Sequence, residues 1–198
     1  MIMKFPIITG NICSGKSYCG RIISSFGYSV IDADEIVKKG LEKGEYLYSS
    51  YVGLLGQGIL KQDGILDKKA VRDLIFSSKA VKKQIEDIAH PYVLNIIAEE
   101  YRILRKRCNR IICINPLYYE MLDSVYHGPV ILVYCRDEVR IKRLMERDQV
   151  DSSTALRIIK NQFSQREKVF FSDYIIDNSF DEEFTAEQAG LLMWYMES

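Results

Sequence analysis

Residues 10–17 read Gly10-Asn11-Ile12-Cys13-Ser14-Gly15-Lys16-Ser17, a complete G-x-x-x-x-G-K-[ST] phosphate-binding loop. The apolar stretch Phe5-Pro6-Ile7-Ile8-Thr9 precedes it, and segment 18–26 suits a helix. In that setting backbone N–H groups curl around phosphates, and the helix behind the loop aims its positive end at them. Lys16 has the length to reach the β- and γ-phosphates, and the Ser17 hydroxyl is a ligand for Mg²⁺. The competing reading is a plain glycine turn between strand and helix. The pattern predicts that residues 10–17 hold a nucleoside triphosphate.

The remaining composition narrows the class. With 198 residues, 47% hydrophobic and 27% charged, the chain has the balance of a globular domain that buries a sizeable core. Twenty-seven basic residues offset twenty-seven acidic ones, which speaks against a general nucleic-acid-binding surface. The longest apolar run, 129–135, is too short to span a bilayer, and the N-terminus lacks the pattern of a signal peptide. Five cysteines without C-x-x-C spacing, and two isolated histidines, His90 and His127, suggest neither a disulfide framework nor a zinc site. A cytoplasmic protein is expected, with no membrane or nucleic-acid partner and no feature that calls for more than a monomer.

Working outward, five short apolar runs read as buried strands: 5–9, 29–31, 110–114, 130–135 and 174–176. Helical periodicity fills most of the intervals, so the expectation is an α/β fold with a parallel sheet covered on both faces. Ligands gather at the carboxyl ends of such strands, where the loop already sits. The interval 35–109 is far longer than one crossover helix needs. It carries turn signals at Gly53, Gly56, Gly58 and Asp63-Gly64, helical patterns over 69–76 and 80–89, a break at Pro91, and a further helix over 92–107. This reads as a helical insertion suited to an acceptor substrate.

The second strand ends in Ile31-Asp32-Ala33-Asp34. Alternation along an extended segment points both carboxylates the same way. Phosphoryl transfer needs a carboxylate to orient and deprotonate the acceptor hydroxyl and another on the metal side. Asp34 is the candidate base and Asp32 the candidate metal-side residue, the alternative being a helix cap beside a solvated carboxylate. The third strand ends at Asn115 with no acidic residue, which adds weight to that pair. Asp137 is a candidate cap for a helix through Arg147 that aligns Arg140, Arg143 and Arg147 on one face. Such a face is either a solvated charge stripe or a lid over the transferring phosphate.

Taken together these landmarks resemble the dephospho-CoA kinase family from Ile7 to about Ser179. The resemblance rests on Gly15-Lys16-Ser17, Val30-Ile31-Asp32-Ala33-Asp34, Asp63-Gly64 with Leu66-Asp67-Lys68, and Ile85-Glu86-Asp87-Ile88-Ala89-His90-Pro91. It continues through Pro116-Leu117-Tyr118-Tyr119-Glu120, Arg143-Leu144-Met145-Glu146-Arg147-Asp148, Gln162 and Asp173-Tyr174-Ile175-Ile176-Asp177-Asn178. It implies a three-layer fold of the P-loop NTPase type with a five-stranded parallel sheet. The nucleotide-binding core would comprise 1–34, 110–136 and 169–198, with a helical CoA-binding insertion at 35–109 and a helical lid at 137–168. It further implies ATP-dependent phosphorylation of the ribose 3′-hydroxyl of dephospho-CoA, with ATP and Mg²⁺ as cofactors. By matching position, Asp34 is the base and Lys16 and Arg143 are catalytic cations. Arg147 and Asn178 join the loop in binding nucleotide, with Asn178 a positional candidate for the adenine. Lys68, His90, Pro91, Pro116 and Leu117 would line the acceptor side, although packing roles serve His90 and the two tyrosines after Leu117 equally well.

Several residues depart from the family pattern. The loop has Asn11 and Cys13 where glycine is usual, Lys68 stands where arginine is common, Arg140 replaces Gln, and Ser172 replaces alanine. The Cys13 thiol, in a cationic, N–H-lined loop, reads in two ways: as an activated thiolate open to oxidation or, the reading preferred, as an inert buried thiol. The rival readings are another small-metabolite or nucleoside kinase on the same core, or a nucleotide-binding module without catalysis. A guanine-nucleotide switch is disfavoured because the chain has no D-x-x-G and no N-K-x-D. The kinase reading requires the loop and Asp34 to face each other across a shared cleft.

Overall fold

The computed structural model describes residues 3–119 and 128–197; Glu120 and His127 lie outside them. The chain divides into two compact units, one formed by residues up to Asp32 and from Tyr101 onward, the other by Ala33–Glu100.

The first unit contains all five expected strands: β1 (Ile7–Thr9), β2 (Ser29–Asp32), β3 (Ile111–Ile114), β4 (Val130–Tyr134) and β5 (Tyr174–Asp177). They pair in parallel in the order β2-β3-β1-β4-β5. β1 is therefore central, and the loop after it opens at the carboxyl edge of the sheet. Continuous apolar runs are what a sheet buried on both faces requires. On one face Ile8, Ile112, Ile114, Ile131, Val133 and Ile176 pack with Cys19 and Ile23 of α1 (Lys16–Ser25) and with Ala189 and Met193 of α9 (Glu182–Glu197). Ile7, Ile111, Cys113 and Leu132, the alternate positions, are equally buried.

After β4 come α6 (Asp137–Asp148), α7 (Ser152–Lys160) and α8 (Gln165–Phe170). Leu144, Ala155 and Ile159 form a small apolar cluster that Ile12 and Cys13 of the loop join. The segment expected as a lid thus belongs to the same compact unit as the sheet. Asp137 does not cap α6. It is the first helical residue, and its Oδ1 accepts instead from Arg140 Nη1 at 2.8 Å and Gln165 Nε2 at 3.0 Å.

The second unit holds α2 (Ala33–Gly40), α3 (Tyr46–Leu55), a short 3₁₀ turn (Gln57–Ile59), α4 (Lys68–Ser77) and most of α5 (Lys79–Leu104). Leu47, Tyr51, Ile59, Leu66 and Ile85 form its core. Asp67 caps α4, its Oδ1 accepting from the N–H groups of Lys69 and Ala70. The expected break at Pro91 is absent, since α5 runs unbroken through it. Proline in a helix interior costs about 3 kcal/mol through a lost N–H and a ring clash. Tertiary burial on both sides of it overrides that cost: Ile85, Ile88 and Tyr92 join the unit's core, while Val93 and Ile97 are buried further on. Pro91→Ala restores the missing donor at an exposed position. It should stabilise the protein by about 1–2 kcal/mol, the gain being trimmed because alanine loosens the unfolded chain. Denaturant unfolding measures this, and an unchanged or lowered midpoint would contradict it.

Candidate active site

The loop after β1 has the backbone that glycine permits. Gly10 has φ 153° and Gly15 φ 98°. A Cβ at position 15 would collide with the side-chain amide of Asn178, and one at position 10 with Val133 O and Ser14 Oγ. Gly15 is also the N-cap of α1, and it offers no side-chain cap. The first turn of α1 carries no acidic residue either. The first N–H groups of a helix have no intrahelical carbonyl to reach. With neither a capping oxygen nor a carboxylate competing, this helix end is fitted to bind an anion. Lys16 Nζ donates to Gly10 O at 2.9 Å and Asn11 O at 3.0 Å, which places its ammonium against the loop. The side-chain atoms Ser14 Oγ and Asn11 Oδ1 are buried with no hydrogen-bond partner among the described residues. A triphosphate fits this cradle.

The position that needs a left-handed backbone is Cys13, at φ 59°, and not Asn11. For an L-residue that conformation costs roughly 1–2 kcal/mol. Of the two readings of Cys13, burial favours the inert thiol. Burial, the largest effect, pushes the Cys13 thiol above its ordinary value; Arg147, Arg140 and Lys16 pull the other way without prevailing, and Asp148 reinforces burial. Desolvation of the thiolate outweighs the nearby cations.

The arginines of α6 do not act as one stripe. Arg140 is only 1% exposed and donates from Nε to Ile12 O at 2.9 Å, so it is a buried brace and not a free cation over phosphate. Arg143 Nη1 lies 3.4 Å from Cys13 O and 3.5 Å from Cys135 Sγ, against the loop. Arg147 is exposed and forms an ion pair with Asp148 at 2.8 Å. Helical spacing put the three on one face, but the surroundings assign them different work.

Asn178, expected near the adenine, is 4% exposed and both ends of its amide are engaged. Nδ2 donates to Ser14 O at 2.7 Å, and Oδ1 accepts from Thr185 Oγ1 at 2.9 Å. It is a strut beneath the loop. The sequence reading assigned no role to Thr185 or Gln165; neither stands near the loop in sequence.

Asp32 ends β2, but Ala33 already begins α2, so Asp34 lies in the first helical turn. The strand-alternation argument for their common direction therefore fails. Asp34 is exposed and belongs to the second unit, as do Lys68, first residue of α4, and His90 and Pro91 in α5. Pro116 and Leu117 follow β3 in the first unit; Pro116 O accepts from Thr9 Oγ1, and Leu117 N donates to Asn115 Oδ1. Tyr119 is a packing residue, 8% exposed and hydrogen-bonded to Ser172 Oγ at 2.7 Å. Of the residues expected on the metal side, Ser17 is exposed at the start of α1 and Asp32 is half-buried at the end of β2. Among the described residues no three acidic, histidine or cysteine side chains converge on one point. This suits an ion held chiefly by phosphates and water, as Mg²⁺ is in nucleotide sites.

Comparison with known proteins places the chain in a family. A family model described as dephospho-CoA kinase matches residues 7–183. The dephospho-CoA kinase of Carboxydothermus hydrogenoformans is 33% identical over 190 residues, covering 94% of this chain and 92% of its own. A crystal structure from Thermus thermophilus superposes with TM-score 0.82 at 25% identity over the full length of both chains. A dephospho-CoA kinase from Campylobacter jejuni gives TM-score 0.68 at 27% identity, covering 98% of each.

Asn178→Ala removes the strut and takes from Ser14 O the amide that donates to it. Affinity for ATP should fall about tenfold, the worth of one net hydrogen bond. Inorganic tripolyphosphate should weaken by the same factor, whereas an adenine contact would weaken ATP alone; competition binding separates the two. Alkylation of Cys13 should rise with pH through a midpoint above that of an ordinary exposed thiol. A site-resolved iodoacetamide profile with a midpoint at or below the ordinary value would refute the assignment.

Proposed function

The chain belongs to the dephospho-CoA kinase family, and from that premise we propose how its residues divide the work of phosphorylating dephospho-CoA with ATP. The observation that carries the reading is the bare N-terminus of α1 behind left-handed Gly15, with Lys16 against the loop and Arg143 beside it. The amides of the cradle and Lys16 bind the ATP phosphates, and Arg147 adds charge from the far end of α6. Ser17 and Asp32 would hold Mg²⁺, which supplies charge neutralisation across the β- and γ-phosphates when bound.

The acceptor is the ribose 3′-hydroxyl. Asp34 follows the last residue of β2 by two positions, and we assign it as the base. Its carboxylate takes the hydroxyl proton as the 3′-oxygen forms its bond to the γ-phosphorus. The bond from that phosphorus to the β-γ bridging oxygen breaks, and ADP leaves with the bridging oxygen. Arg143 turns from the Cys13 carbonyl to the transferring phosphoryl group, where fixed positive charge lowers the barrier. Lys68, His90, Pro91, Pro116 and Leu117 line the acceptor side. Residues 35–109 act as the acceptor-binding insertion and 137–168 as the lid that excludes water. We take the working form to be a monomer in a cytoplasmic setting, where ATP is supplied. No described helix is long and apolar enough to cross a membrane.

A coupled assay for ADP tests the scheme. ADP should form with dephospho-CoA present and nearly vanish without it. Loss of a general base typically costs about 10²–10⁴ in rate, so Asp34→Asn should lower kcat by that range with KM for ATP little changed. A variant that keeps more than a tenth of the parental kcat would remove Asp34 from the role.

A further inference from the structure

Ile12 sits in the first half of the phosphate loop, yet both of its backbone groups are already engaged. Its N–H donates to Gln162 Oε1 at 2.8 Å, and its carbonyl accepts from Arg140 Nε at 2.9 Å. The two side chains also meet, with Arg140 Nη2 donating to the same Gln162 oxygen at 3.3 Å. The result is a closed ring of three hydrogen bonds around the backbone of one residue.

The ring is anchored. Arg140 Nη1 donates to Asp137 Oδ1, which Gln165 Nε2 also reaches at 3.0 Å. The Gln165 amide grips Cys135 just past β4, accepting from Cys135 N at 3.2 Å and donating to Cys135 O at 2.8 Å. The neighbouring residue is tied to the same segment, since Asn11 Nδ2 donates to Phe163 O at 2.8 Å. The loop after β1 is thereby fastened to the end of β4 and to the connection between α7 and α8.

From this ring we infer that Gln162, held by Arg140, is a positioning residue for phosphoryl transfer: it locks the Ile12 peptide so that this N–H is not a phosphate donor, and the working cradle begins after it. The inference rests on the ATP-binding reading of the loop. A guanidinium is suited to the second place in the ring because Nε, Nη1 and Nη2 point to three acceptors at once, which a lysine ammonium on a flexible stem does not reproduce. The Gln162 oxygen must accept two hydrogen bonds, which an amide or carboxylate oxygen does and a thioether does not. Burial of the Arg140 charge adds rigidity, since no water replaces a lost partner there. Without Gln162 the Ile12 N–H is free to turn toward phosphate, and the loop loses its single geometry.

The test uses the full chain, a non-hydrolysable ATP analogue and the coupled assay, with Gln162→Met, Gln162→Glu, Arg140→Met and the double Met variant. Gln162→Met should weaken the analogue about tenfold and lower kcat, with KM for dephospho-CoA unchanged. Gln162→Glu keeps both acceptor positions and should restore binding to within about threefold of the parent. The double variant should be no weaker than Arg140→Met alone, because the two side chains form one ring around the Ile12 backbone. Amide exchange should find the Ile12 N–H protected in the parent and unprotected in Gln162→Met. Parental analogue binding by Gln162→Met, losses that multiply in the double variant, or an unprotected Ile12 in the parent would each overturn the inference. Gln162 is half-buried, so if Arg140→Met fails to fold, the two Gln162 variants and the exchange readout decide alone. Analogue binding separates this outcome from failure of the kinase reading, which would appear as tight binding without transfer to dephospho-CoA.

Discussion

Asn178 packs its amide into the space that a side chain at position 15 would fill, and it donates to the carbonyl of Ser14. Its consequences run through the whole first unit. Position 15 must be glycine, so α1 starts without a side-chain cap, and the helix end stays open to an anion. A serine or aspartate cap would stabilise α1 by about 1 kcal/mol and would occupy the place of a phosphate oxygen. The unit instead secures the loop from beneath and from the side. Asn178 and Thr185 hold Ser14, Arg140 and Gln162 hold Ile12, and Phe163 holds Asn11. Loop strain at Cys13 is tolerated because these neighbours leave the backbone no alternative.

Charge is distributed by burial along α6. Arg140 is sealed in, and desolvation lowers its pKa against the opposing pull of Asp137, its largest favourable partner. A buried arginine is tolerable only when its donors are satisfied, and here they bind a backbone carbonyl, a carboxylate and an amide. Arg143 is half-buried on weaker partners, and Arg147 is exposed in an ion pair worth little to stability. Along one helix, then, burial falls from Arg140, which builds the loop, through Arg143 to the exposed Arg147.

The second unit obeys plainer physics. A cluster around Leu47, Tyr51, Ile59, Leu66 and Ile85 gives it its own core, and Asp63-Gly64 with the Asp67 cap sets the turn that feeds α4. That core also explains why α5 passes through Pro91: apolar contacts on either side exceed what one missing hydrogen bond removes. Local signals named α4 and both halves of α5 there, but they missed α2 and α3, placed a turn at Gly53 inside α3, and divided α5 at Pro91.

Much was legible from local chemistry. The glycine spacing of residues 10–17, the five apolar runs and the helical periodicity of 69–107 act over a few residues, so the sequence alone determined the phosphate loop, the parallel sheet and the helical insertion. What it misjudged depended on neighbours distant along the chain. Asp34 left the strand because α2 begins at Ala33; Arg140 turned inward to meet Ile12; and Asn178 found Ser14 across 164 residues. Backbone geometry follows from short-range sterics, which a motif records. Desolvation and hydrogen-bond partnership depend on what the fold brings alongside, and only the tertiary structure decides that.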